Sequence, residues 1–311
     1  MTRTVTFAHL TDVHLAPLVG FGVRHANVKR VLGYLNWHRG RKRVHLPDVI
    51  EAIAGDIARC NPDHIAVTGD LVNLGLPAEY ERATRWLERL GAPDAVSVVP
   101  GNHDIYTKLR ADPGVGRWRA YMTSDDWGRQ RMAGITADNG FPYVRRIGPV
   151  ALIGLNSAHP TPPFVAAGRV GGVQLAALAR LLSALKADGL ARVVLIHHPP
   201  LGGQAPRLRA LADAATLEQT LMAHGAELVL HGHNHRIIVE PRAVDGGTML
   251  VLGLTSASAG RAHHGEGLAC YNMLRIDCGE NVVRVRTETR GLDAENGEVV
   301  ALGRREWTLQ G

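Results

Sequence analysis

Seven side chains suited to metal ions punctuate this 311-residue chain in a fixed order: Asp12 and His14, Asp70, Asn102, His197, then His233 and His235. Each closes a short run rich in apolar and β-branched residues. A chain that brings positions 12 and 235 to one point must gather the ends of several strands at one edge, and this constrains the architecture more than any bulk property. Carboxylate and imidazole together suit borderline ions such as manganese, iron or zinc, whereas a thiolate site would need cysteines that these motifs lack. The pattern predicts a binuclear metal site.

The intervening sequence alternates between two periods. Compact apolar runs at 5–10, 64–67, 96–99, 150–153, 193–196, 228–230 and 249–252 read as buried strands. Pro77 is placed to start a helix with an apolar face of Tyr80, Ala83, Leu87 and Leu90, and Gly91 to end it. A second helix uses Leu175, Leu178, Leu182 and Leu185. Residues 282–287 alternate as a strand, and the tail after Asn296 reads as a strand pair or an extension. Strand, helix, strand implies a layered α/β fold, in which function gathers at the carboxyl ends of the strands. All seven residues fall there.

Bulk properties suit this reading. At 45% hydrophobic and 21% charged the chain can bury a sizeable core. One domain over 1–311 is expected, because residues 12 and 235 must share a site. Cys60, Cys270 and Cys278 are too few and odd in number for a disulfide framework, which suits a reducing cytoplasm. Met1 through His9 contain no long apolar run, so no cleaved leader is expected, and no run of about 18 apolar residues is present to span a bilayer. The expected location is cytoplasmic, or peripheral to the inner face of the membrane.

Taken singly, these residues have plainer explanations. Asp12 and Asp70 stand where turns favour aspartate, Gly-Asn-His-Asp at 101–104 has the composition of a turn, and a lone histidine is usually packed or exposed. The ordered combination outweighs those readings. The histidines outside it, His25, His38, His45, His159, His224, His263 and His264, keep the plain reading unless the fold carries them to the site.

The signatures Asp12-Val13-His14, Gly69-Asp70-Leu71-Val72-Asn73, Gly101-Asn102-His103-Asp104, His197-His198-Pro199 and Gly232-His233-Asn234-His235, in this order, resemble the calcineurin-like metallophosphoesterase family, in particular its bacterial class III cyclic-nucleotide phosphodiesterase-like branch. The resemblance implies a four-layer sandwich of two mixed β-sheets flanked by helices, with the site at one edge. It implies that Asp12, His14, Asp70 and His235 hold one ion and that Asp70, Asn102, His197 and His233 hold the other, with Asp70 as the bridge. His197 is favoured over His198 because the family's ligand stands two residues before a proline, here Pro199. His198 and Asp104 become candidates for the surrounding shell. His103 is the implied catalytic residue, facing substrate and supplying a proton or positive charge. Many members place an acid where this chain has Asn73; an amide cannot raise the pKa of His103. Purple acid phosphatases place a tyrosine ligand there, so the sequence departs from that branch. The implied activity is hydrolysis of a phosphate ester by a hydroxide bridging two divalent or mixed-valence ions. A phosphodiesterase ranks first, a pyrophosphatase acting on UDP-diacylglucosamine-like lipid precursors second and a nuclease third. An inactive scaffold ranks last, because no ligand is missing.

One segment stands apart. From Ala16 to Pro47 there is no Asp or Glu, while Arg24, Lys29, Arg30, Arg39, Arg41, Lys42 and Arg43 contribute seven positive charges to a chain of net charge +6. Val28, Val31, Leu32 and Leu35 recur at helical spacing, with Tyr34 and Trp37 nearby, which predicts a basic amphipathic helix inserted at about 16–47. Its apolar stripe either packs on the body of the protein or, with the cations of 24–43, meets an anionic surface: a membrane, a nucleic acid or a polyphosphorylated substrate. The segment also resembles that of bacterial metallophosphoesterases acting near lipid precursors. In the loop at 261–264, Arg261 and His263 are candidates for touching substrate phosphate.

Overall fold

The structure is a computed structural model that describes residues 3–108, 112–244, 247–280 and 282–310. The first sheet contains β1 (Arg3–Leu10), β2 (His64–Val67), β3 (Val96–Val98), β10 (Cys270–Cys278), β11 (Val282–Leu292) and β12 (Val299–Gln310), in the order β12-β11-β10-β1-β2-β3. The second contains β4 (Tyr143–Ile147), β5 (Val150–Gly154), β6 (Ala191–Leu195), β7 (Leu228–His231), β8 (Ile238–Val244) and β9 (Gly247–Gly253), in the order β4-β5-β6-β7-β9-β8. Both sheets are mixed. The runs β1-β2-β3 and β5-β6-β7-β9 are parallel, and the outer strands pair antiparallel. This agrees with the sandwich expected from the sequence.

Side-chain alternation sorts the layers, because successive strand residues point to opposite faces. In the second sheet Leu152, Val193, Leu195, Leu228, Leu230, Leu250 and Leu252 join the core shared with the first sheet. Their neighbours Ala151, Ile153, Val194, Ile196, Val229 and Val251 pack in a separate cluster with α4 (Gly172–Ala187) and α5 (Ala214–His224). On the first sheet, α2 (Pro47–Cys60) contributes Ile50, Ile53 and Ile57, and α3 (Pro77–Leu90) contributes Tyr80, Ala83 and Leu87. Pro47 and Pro77 stand in the first turns of these helices, where a missing N–H costs nothing, and Asn61 ends α2 in the left-handed region. Asp56 of α2 binds the sheet directly, accepting from Tyr271 Oη at 2.6 Å and from Arg290 Nε at 2.6 Å.

Two expectations change. The tail after Asn296 is one long strand, β12, paired along β11 at the sheet's edge. The helix of the basic segment, α1 (Val28–Arg39), is present with Asn27 accepting from Arg30 N as its N-cap, and its apolar residues are split: Leu32 is half-buried and Tyr34 packs with Leu74, Leu76 and Tyr106. Arg30 and Trp37 are buried, whereas Val28, Val31 and Leu35 are exposed. Arg30 is held inside because its guanidinium satisfies the carbonyls of Leu74 and Gly75. Among the described residues, no helix is long and apolar enough to cross a membrane.

Candidate metal centre

The motifs leave the carboxyl ends of β1, β2, β3, β6 and β7, and backbone bonds bring them together. Beyond the regular strands, Asp12 N donates to Gly69 O at 2.9 Å and His14 N to Asp70 O at 2.8 Å, so the first two motif loops run side by side. Asp104 clamps the next pair: its Oδ2 accepts from Asp70 N (2.7 Å) and Gly101 N (2.9 Å), and its Oδ1 from Leu71 N (2.8 Å) and Val72 N (3.1 Å). Two glycines allow the approach. A Cβ on Gly101 would lie 2.2 Å from Asp70 Oδ1, and one on Gly232 would lie 1.9 Å from Thr11 Oγ1. Asp12, His14, Asp70, His233 and His235 all have positive φ, between 41° and 72°. Non-glycine residues rarely adopt this conformation, and its clustering at one point marks a site where geometry is held at the expense of backbone strain. It also lets both His233 and His235 turn to the same side after β7 ends at His231.

The side chains converge in overlapping groups, Asp12 with His14 and His235, His14 with Asp70 and His103, and Asp70 with His197 and His233, each with ligand atoms within 4.8 Å of one another. His235 Nε2 lies 3.1 Å from Asp12 Oδ1, and His14 Nε2 lies 3.9 Å from Asp12 Oδ1 and 3.8 Å from Asp70 Oδ2. His197 Nε2 lies 3.4 Å from Asp70 Oδ2 and 3.1 Å from Asn102 Oδ1. Donors about 2.0–2.2 Å from one ion stand roughly 3–4 Å apart, so these spacings suit metal binding. The other ring nitrogens add a second indication. His14 Nδ1 faces Val72 O (3.3 Å), His197 Nδ1 faces Thr68 O (2.7 Å), His233 Nε2 faces Arg209 O (2.9 Å) and His235 Nδ1 faces the Glu266 carboxylate (2.7 Å). Metal-binding histidines are oriented in this way by carbonyl or carboxylate partners. His198 differs, because its nitrogens face Ser157 Oγ (2.8 Å) and Ala166 O (3.1 Å) and it joins none of the three ligand groups.

The electrostatics favour bound positive charge. Burial opposes ionisation of His197, yet the Asp70 carboxylate, by charge and hydrogen bond, outweighs it and lifts the imidazole to about 9. Asp12 and Glu266 overcome burial in the same way at His235, also to about 9. Burial alone would raise Asp12 and Asp70, but the neighbouring imidazoles hold both below the usual carboxylate range. A metal ion would take over the role of those protons.

Arg41 is the main addition to the residues singled out in the sequence. Its Nη2 lies 3.0 Å from His14 Nε2 and its Nη1 lies 3.1 Å from His103 Nε2. One cation of the basic segment therefore belongs to the site. Burial, reinforced by the Arg41 charge, lowers His103 to about 4. His103 Nδ1 points at the backbone carbonyl of Asn73 (2.5 Å), while the Asn73 side chain donates to Leu15 O (3.1 Å). Asn73 thus meets His103 through its backbone, not through the amide considered above. Glu79 holds that loop, accepting from the amides of Asn73, Leu74 and Leu76. Its position just after Pro77 was the available sequence signal. His45, set aside in the sequence, lies with its ring centroid 4.6 Å from that of His14. Arg261 and His263 are exposed, and the contact from their loop comes from Glu266.

Residues 5–236 match the description of the calcineurin-like phosphoesterase family. A Synechococcus protein named "probable cyclic nucleotide phosphodiesterase" is 29% identical over 196 residues, covering 62% of this chain and 66% of that protein. The glycerophosphodiester phosphodiesterase GpdQ of Enterobacter lignolyticus is 34% identical over 97 residues, covering 31% of this chain and 28% of that protein. The matched stretches span just under two thirds of the first relative and under a third of the second. Among solved structures, a dimetal phosphatase from Danio rerio shares the fold with a TM-score of 0.60 over 96% of this chain and 98% of that one, at 14% identity.

Proposed function

The chain belongs to the calcineurin-like phosphoesterase family, and from that premise we propose that it hydrolyses phosphodiesters at a two-metal centre. The observation that carries this reading is the donor set itself: carboxylates and imidazoles 3.1–3.9 Å apart, with the opposite ring nitrogens of His14, His197, His233 and His235 already engaged. Asp12, His14 and His235 would hold one manganese, iron or zinc ion, and Asn102, His197 and His233 the other, with Asp70 shared. Such a pair, when bound, polarises the phosphate and makes water a stronger nucleophile near neutral pH.

The protein's own groups account for the rest. Arg41 presents a half-buried guanidinium whose planar donor fork matches phosphate oxygens; an ion on His14 Nε2 would free its Nη2 for substrate and leave Nη1 on His103 Nε2. His103 orients that fork through Nε2. With Nδ1 held by the Asn73 carbonyl, His103 would present Nε2 towards the phosphate, where a proton would pass to the leaving oxygen. The names of the two curated relatives support a diester over a monoester. A turnover screen of metal-reconstituted protein on model diesters, monoesters and nucleoside diphosphate lipids tests the reading. Diester turnover should exceed monoester turnover and cease with a chelator. Protein that holds two ions and cleaves no ester would refute it.

A further inference from the structure

The side chains around the mouth of the site are the wrong kind for a surface exposed only to water. Six large apolar residues stand out: Val23, Val28, Val31 and Leu35 of the basic segment, Phe164, and Leu208, with exposures from 40% at Val31 to 94% at Val23. They belong to three neighbouring segments. Lys29 Nζ bonds Thr161 Oγ1 at 2.9 Å, tying α1 to the loop of Phe164, and Ala166 N bonds Leu208 O at 2.9 Å, tying that loop to the next. Two of the segments touch a histidine of the site, with Arg41 on His14 and His103 and Arg209 O on His233 Nε2, and the third reaches His198, the neighbour of His197, through Ala166 O. The apolar rim therefore borders the catalytic opening.

Charge follows the same boundary. Residues 16–47, 157–170 and 199–212 contain no Asp or Glu. Three of the seven cations in the first segment are used internally: Lys29 on Thr161, Arg30 on Leu74 and Gly75, and Arg41 in the site. Arg24, Arg39, Lys42 and Arg43 remain exposed. On α1, Val28, Val31, Leu35 and Arg39 share one helical face, so aliphatic and cationic groups are interleaved.

We propose that this rim docks the protein on an anionic lipid bilayer, with the site facing the membrane. Interleaved apolar and basic side chains gain twice at such a surface, from the acyl boundary and from the headgroup charge. A second copy is a poorer occupant, because a two-fold contact would set these cations against their own copies without a carboxylate among them. A nucleic acid would meet the charge and leave the aliphatic groups without a partner. The inference goes beyond the phosphoesterase reading and is measured without turnover, so either can fail alone.

The test is sedimentation of the metal-loaded full chain with phosphatidylcholine vesicles, with and without phosphatidylglycerol, at physiological salt. The protein should sediment with the anionic vesicles and stay in solution with the neutral ones. The triple variant R39Q/K42Q/R43Q should weaken partitioning on the order of 100-fold, because each surface cation contributes about fivefold. The variant V31D/L35D should lose binding while keeping the parent's metal content and unfolding midpoint. A parent that ignores anionic vesicles overturns the proposal. So does equal binding to both vesicle types, preference for single-stranded DNA over vesicles, or a parent dimer that V31D/L35D turns into monomers.

Discussion

The motif loops and the basic segment that borders them are built on opposite principles. In the loops, Asp12, Asp104 and His197 are committed to backbone partners, and five residues are held at positive φ. In α1 the backbone is regular, while Val28, Val31 and Leu35 are left in the open. The first arrangement accepts strain to place atoms, and the second keeps apolar area uncovered. A site needs the former because metal geometry tolerates little displacement, whereas a docking surface needs the latter because its partner supplies the missing contacts. Arg41 joins the two regions.

Asp70→Asn has the largest expected effect. One side chain serves both halves of the site, so both metal occupancies should fall and turnover drop by more than ~10,000-fold, above the range for losing one acid or base. Elemental analysis of the variant checks this. Two ions retained at the parent's affinity would show that the two halves are independent. His103→Ala comes next: metal content should persist while kcat falls by roughly 100- to 10,000-fold. The loss should shrink with a nitrophenolate leaving group, which needs little protonation. Equal losses on good and poor leaving groups would make His103 a fixed electrostatic or orienting group instead.

Arg41→Gln asks whether the site and its border are separate regions. Losing a charged hydrogen bond to phosphate costs about 1.5–3 kcal/mol, so kcat/KM should fall roughly 10- to 100-fold with both ions still bound. The parent value retained on every substrate would return Arg41 to the border and leave phosphate recognition to the metals alone.

The same contrast separates what the sequence displays from what it hides. The convergence of the seven residues was legible because each stands in a short motif at the end of an apolar run, and the strands were legible from those runs. Arg41 and Glu266 were not, because their roles arise from contacts across the fold: Arg41 reaches His103 62 positions away, and Glu266 reaches His235 31 positions away. Asn73 misled for another reason. Residue type suggests what a side chain can do, yet its contribution to His103 is a carbonyl that any residue possesses. At α1 the helical period identified a stripe but not the direction it faces. Hydrophobicity alone argues for burying Val28 and Val31, and the unmet carbonyls of Leu74 and Gly75 tipped the helix to bury Arg30 instead. Helix α2 was within reach, since Pro47, Val49, Ile50, Ile53, Ile57 and Asn61 carry start, stripe and stop.

The committed interior should also be the acid-sensitive part. Burial holds His64, bonded to Ser97 Oγ at 2.8 Å, down to about 3, against an ordinary histidine near 6.5. The folded state stays unprotonated through a range in which the unfolded chain takes up a proton. This contribution is intact above about pH 6.5 and is lost as pH falls from there toward 3. At roughly 1.4 kcal/mol per pH unit, lowering the pH from about 6.5 to about 5 should cost about 2 kcal/mol at this residue. Urea unfolding in chelator should show the loss, and His64→Gln should make it shallower by about one proton. An identical pH slope in parent and variant would remove His64 as the cause.

The smallest effect should come from the border. Leu35 is a leucine on a helix, and by composition its replacement would empty part of a core. Its side chain is instead 44% exposed, so Leu35→Ser removes little buried area and should change stability by no more than ~0.5 kcal/mol. Trp37, two residues on, is buried with its ring stacked over that of His45 at 6.3 Å, and Trp37→Ala should cost about 3–5 kcal/mol. Urea midpoints of the two variants decide the helix's orientation. If Leu35→Ser is as damaging as Trp37→Ala, the apolar stripe is packed after all, and the contrast between a committed site and an open border collapses.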